Sequence, residues 1–136
     1  MKSTYTKATN LFNQFLLWRY STVTVEGFDF HVNISPATYQ FEITTTIYQG
    51  QGEIPQSIRE RAATNVVFGY DIPKTKLFID ERNHRVMMRY REAFDQMHYP
   101  RFSEIFEELV WIAEQWKNVL DKNDQSDYDF VFVNRN

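Results

Sequence analysis

Arg85, Met87, Arg89 and Arg91 alternate with Val86, Met88 and Tyr90 inside the stretch TKLFIDERNHRVMMRYREAF, Thr75 to Phe94. A period of two predicts a β-strand, with the arginines on one face and the apolar residues on the other. Guanidinium groups recognise carboxylates and phosphates through paired N–H donors. The plainest reading of this face is a solvated surface. An intramolecular reading pairs the arginines with Glu42 on a neighbouring strand or with the acidic last helix, and exposed pairs of that kind contribute about 0–1 kcal/mol. A third reading is a docking surface, where arginine beside Met87 offers charge and apolar contact together.

No other grouping of residues points to catalysis. His31, His84 and His98 are the only histidines, and no two stand at metal-ligand spacing. His31 alternates with Phe30 and Val32 and so faces away from the apolar side, whereas His84 and His98 fall in a turn and a loop. Asp80 and Glu81 with Glu92 or Asp95 could form a carboxylate pair, but a polar turn is where acids ordinarily sit. The four glycines are scattered, so no phosphate-cradling loop is present. No serine stands in a nucleophile elbow. The absence of cysteine excludes disulfides and thiolate metal sites. The expectation is a protein with no enzymatic activity, no metal and no cofactor. A small enzyme using His31, His98 or carboxylates in a cleft beside the last helix is the alternative.

Length and charge narrow the partners. A chain of 136 residues predicts one domain with a real hydrophobic core. A net charge of −3 opposes duplex DNA, whose binding depends on phosphate neutralisation. The run Phe15-Leu16-Leu17-Trp18 is too short for a membrane span, and no signal peptide is evident. The expected setting is the cytoplasm, with no nucleic acid and no membrane. Residues 70–103 are slightly basic, whereas 104–136 carry eight acids against Lys117, Lys122 and Arg135. Aromatic residues make up 17% of the chain, enough for a phenylalanine-rich core with some left for an interface.

These residues are positioned by a simple series of elements. Ala8, Leu11, Phe12 and Phe15 predict a helix over about 4–20. Its end, FLLWRY, is apolar nearly all round, with Leu17 and Tyr20 away from the Phe12 face, so it packs on two things, the second being this domain or another chain. Val23 and Val25 share one parity, and Phe28, Phe30, Val32 and Ile34 the other. The change at Glu26-Gly27 marks a bulge or a tight turn. SPAT, Ser35 to Thr38, reads as a turn. Tyr39, Phe41, Ile43, Thr45 and Ile47 form the next apolar face, and the two runs pair as a hairpin. A helix over about 55–68 follows, with the stripe Ile58, Ala62, Val66 and a stop at Gly69. The arginine hairpin comes next, turning at DERNH. Pro100 opens the strongest helix, about 101–121, whose stripe of Phe102, Ile105, Leu109, Ile112, Trp116 and Val119 covers a sheet. Val110 and Trp111 lie outside that stripe. Residues 123–136 read as a loop with a short terminal strand or a partly ordered tail, after a single α+β domain at 1–122. The predicted architecture is an α-β-β-α-β-β-α sandwich, an antiparallel sheet covered by helices.

The segment from Ile58 to Leu120 resembles the second half of the type III secretion chaperones and their YbjN-type relatives. There a short helix, often with an asparagine near its end, leads into a hairpin with an aspartate before the turn. A long helix with an aromatic near its end closes the domain. Asn65, Leu77, Ile79, Asp80, Val86, Met88 and Trp116 stand in those places. The first half, a helix followed by two or three strands, is similar in order. The resemblance implies a homodimer, with Ile58, Ala62 and Val66 at the interface. It also implies binding without chemistry, in which the first helix and the sheet hold an extended segment of an effector-like partner. On that reading Leu17, Trp18 and Tyr20 contact the partner, with Phe30, Phe41, Arg89 and Arg91 behind them. A regulatory or toxin-neutralising interaction protein on the same fold is the other expectation.

Overall fold

The computed structural model describes residues 2–35, 37–64, 75–93, 95 and 97–134, with side chains between 6 and 122. The chain runs α1 (Lys2–Trp18), β1 (Tyr20–Val25), β2 (Phe28–Ile34), β3 (Gln40–Gln49), α2 (Gln56–Thr64), β4 (Thr75–Asp80), β5 (Arg85–Ala93) and α3 (Tyr99–Asn134). The five strands form one antiparallel sheet in the order β1-β2-β3-β5-β4. The α+β architecture is the predicted one. The first half holds three strands rather than two.

The reason lies at Glu26-Gly27. Val25 pairs with Phe28, and the two residues between them have φ of 53° and 83°. Two successive left-handed residues make a tight turn whose twist matches that of a hairpin. The parity change between Val25 and Phe28 is therefore a reversal of the chain and not a bulge. Glu26 holds a conformation that asparagine adopts more readily. Glu26→Asn is expected to raise the unfolding free energy by roughly 0.5–1 kcal/mol in a denaturant titration.

A bulge does occur, in β3. Thr46 pairs with Met87 and Tyr48 with Val86, so Ile47 is the extra residue. Ile47 and Tyr48 consequently both reach the core. Tyr39, expected on the apolar face of this strand, instead has φ of 56° and is 78% exposed. Its N–H bonds the Ser35 carbonyl at 2.8 Å within the turn, and β3 begins after it.

One sheet face is covered. Phe28, Phe30, Val32, Phe41, Ile43, Val86, Met88 and Tyr90 all lie in the core beneath α1 and α3. Phenylalanine rings bind the layers together. Phe15 meets Phe41 edge-on at 5.1 Å, and Phe30 meets Phe106 at 5.2 Å. Phe12 lies 4.9 Å from Phe102, which stacks on Phe106 at 5.8 Å. Such contacts add to the area each ring buries. Phe30 and Phe41, expected behind a partner contact, are fully buried here and have no surface to offer.

α2 packs on α3, and Ile58 and Ala62 are buried in that contact. This corrects their expected place at a dimer interface, because their apolar surface is spent within one chain. Val66, Asn65 and Gly69 lie outside the described residues. In α3, Val110 is 6% exposed and belongs to the core, since three packed elements give this helix a broader buried face than a sheet alone requires. Trp111 is on its solvent side. The helix continues to Asn134, through residues read from the sequence as a loop and a strand. No glycine or proline occurs after Pro100, and Asn-Asp-Gln-Ser-Asp without one disfavours a helix only weakly.

Candidate binding surface

Trp111 on α3 apart, the large exposed apolar side chains among the described residues gather where α1 hands over to β1. Phe15 plugs into the core and fixes the last turn of the helix. Its carbonyl accepts a 2.7 Å bond from the N–H of Arg19, whose left-handed φ of 59° ends the helix and reverses the chain. Leu17 and Trp18 are left 77% and 76% exposed, with Leu16 and Tyr20 about half exposed beside them. Tyr39 stands at the same end of the sheet, because Tyr20 pairs with Asn33 and the β2–β3 turn follows directly. A contiguous group of large exposed apolar residues is a mark of an interaction site.

The group is rigidly mounted. The Ser21 hydroxyl donates to the Leu11 carbonyl at 2.8 Å and ties β1 to α1 while buried. Lys7 Nζ donates to the Thr24 carbonyl at 2.8 Å. β1 pairs with β2 on one side only and is an edge of the sheet. Leu17, Trp18 and Tyr20 are thus brought together at the surface by the first helix and an edge strand. Leu16 and Tyr39 join them, which the sequence pattern does not predict. Tyr39 follows Ala37-Thr38 in a turn, a signal that its alternation with Phe41 masks.

Among the described residues no helix covers the second face of the sheet, which presents the arginines. Arg91 Nε donates to Glu42 Oε2 at 2.6 Å, as the intramolecular reading expects. Arg85 Nε donates to Asp80 Oδ2 at 2.9 Å. Arg89 does neither: its guanidinium carbon lies 5.2 Å from the centre of the Phe78 ring. Met87 is 7% exposed on this uncovered face, paired with Phe78 on one side and Thr46 on the other. Tyr20 reaches the same face, where its hydroxyl lies 3.2 Å from His31 Nδ1.

The titratable groups do not converge. Asp80 ends β4 at the hairpin turn, and Glu92 lies near the far end of β5. Bonds from Asn83 and then Arg85 hold the Asp80 carboxyl below its ordinary range. A paired hydrogen bond from Arg59 does the same for Glu81. Glu92 is buried and accepts paired hydrogen bonds from Nε and Nη2 of Arg101. A recess of about 260 Å³ opens near the β1–β2 turn, lined by Phe28, His31, Tyr48, Arg85 and Lys117 among others. It contains His31 without His98, and Lys117 is bonded to Asp121. Among the described residues no three His, Asp or Glu side chains form a metal-binding group. No helix among them is long and apolar enough to cross a membrane.

Tyr90 on β5 is strongly perturbed. Burial, reinforced by the Glu92 carboxylate, pushes its phenol up to about 12. An unfolded tyrosine ionises near pH 10. Between these values the unfolded state has already lost its proton and the folded state has not. Stability is therefore complete below about pH 10 and falls as pH rises toward 12. A Tyr90→Phe variant should lose this component of the alkaline decline, as read by melting curves across that range.

No family model matches the chain, and no curated protein matches it. Among solved structures, a chain of the HopA1–SchA chaperone–effector complex does. It is 13% identical, the alignment covers 87% of this chain and 98% of that one, and the TM-score is 0.55. At that identity the likeness establishes the fold alone, the α+β arrangement of a five-stranded antiparallel sheet with three helices. This is the architecture that the resemblance to secretion chaperones implies.

Proposed function

We propose that this protein is a chaperone-like binding protein that holds a segment of a partner protein at the junction of α1 and β1, without chemistry. One observation carries the reading: Leu16, Leu17, Trp18 and Tyr20 are exposed side by side on a helix end and an edge strand that the core holds in place. A disordered segment loses entropy when it docks, and apolar anchors offset that loss. The free side of an edge strand offers backbone groups to such a segment. The fold shared with a chain of a chaperone–effector complex supports a partner-binding role. The cytoplasm, where such a partner would be met before export, is the setting this reading implies.

The test is to purify the tagged chain from its native cells and digest the recovered complex lightly with a protease. The reading expects a short partner segment to survive on the chain while the rest of the partner is cleaved away. Protection of a whole folded partner domain would instead favour a regulator of folded proteins. A chain recovered with no partner at all would count against both.

A further inference from the structure

Lys76 and Arg89 stand directly opposite each other in the β4–β5 pair, both on the uncovered face. Like charges at opposed positions destabilise a strand pair. Their neighbours are relieved of this, since Arg85 is bonded to Asp80 and Arg91 to Glu42. Among the described residues no carboxylate pairs with Lys76 or Arg89. Across the sheet from Arg89 come Thr44 and then His31, so the row reads Lys76, Arg89, Thr44, His31 with no acid in it. The Phe78 ring orders the Arg89 guanidinium from one side. At its other end the row meets the apolar surface, because His31 is bonded to Tyr20.

From this geometry we infer that the row reads a carboxylate in the partner segment, an aspartate or glutamate lying beyond the part held at Tyr20. The inference rests on the proposed partner-binding role and adds the chemistry of the partner. Strands are about 4.8 Å apart, so β5 and β4 lie roughly 14 and 19 Å from β1 across the sheet. A fully extended segment covers that span in about four to six residues. The segment would therefore carry an apolar anchor and, about four to six residues away, an acid. A nucleic-acid backbone suits the face poorly. Asp29 and Glu42 flank the row, the whole chain carries −3, and a continuous run of phosphates would meet both acids.

Two labelled synthetic peptides test this, identical but for glutamates or lysines placed about five residues from a leucine–tryptophan anchor. Fluorescence anisotropy should show the glutamate peptide binding about tenfold tighter to the wild-type chain, the scale of one charge-assisted contact. Lys76→Glu with Arg89→Glu should invert that preference. Lys76→Glu alone, at an exposed position, should at least abolish it and guards against a fold lost with the Phe78 contact. Equal binding of the two peptides, or binding of neither, overturns the inference. So does displacement of the glutamate peptide by a single-stranded oligonucleotide at a lower concentration than by unlabelled peptide. The Leu17→Asp, Tyr20→Asp variant separates the two ideas. If wild type binds both peptides equally and this variant binds neither, the carboxylate row is wrong and the apolar site stands.

Discussion

Leu17→Asp combined with Tyr20→Asp should abolish partner capture while shifting stability by less than about 1 kcal/mol. Leu17 is 77% and Tyr20 51% exposed, so neither change opens a cavity. Substitutions at such positions ordinarily stay within about 0.5 kcal/mol. The small extra cost comes from an acid in the last turn of α1, where the helix dipole disfavours negative charge by about 0.3–1 kcal/mol. Capture, in contrast, asks the same two residues to be desolvated against the partner. Two aspartates there would be buried without a counter-charge, which costs far more than the apolar contacts they replace. Melting curves and co-purification from the same cells read the two quantities separately. A variant that unfolds would show that this end of α1 belongs to the core.

Phe106→Ala is expected to behave in the opposite way, losing about 3–5 kcal/mol of stability. The ring is fully buried, meets Phe30 edge-on and stacks on Phe102, so its removal leaves a cavity between α3 and the sheet. Domains of this size have only about 5–15 kcal/mol in total, so the variant should be marginal at physiological temperature. Urea titration measures the loss directly. The contrast between Phe106 and Leu17 is the physical distinction between the two uses of apolar residues in this chain. One set is consumed by the α3–sheet core, and the other is held at the surface by it.

Much of this division is written in spacing. The helical repeat of Ala8, Leu11, Phe12 and Phe15 points one stripe of α1 inward, and Leu17 and Tyr20 fall off it. The alternation in β5 likewise sorts Val86, Met88 and Tyr90 from the arginines. Where the reading fails, a tertiary fact intervenes. Phe30 and Phe41 have the right parity for a sheet surface, but which face the helices cover is decided by packing and not by the strand. Ile58 and Ala62 make a small-residue stripe that suits a second chain and α3 equally well, and α3 occupies it. Lys76 carries no signal in the sequence, because its charge matters only once the register sets it opposite Arg89. The long reach of α3 shows the weakness of polar residues as stop signals when no glycine or proline backs them.

The most direct test of the binding account is amide hydrogen exchange on the free chain and on the chain purified with its partner. Exchange in the complex is expected to slow over residues 16–25, where the end of α1 and the edge strand receive the segment, with little change in α2. Unchanged exchange over 16–25, with protection confined to α2 or to the solvent face of α3 around Trp111, would contradict it.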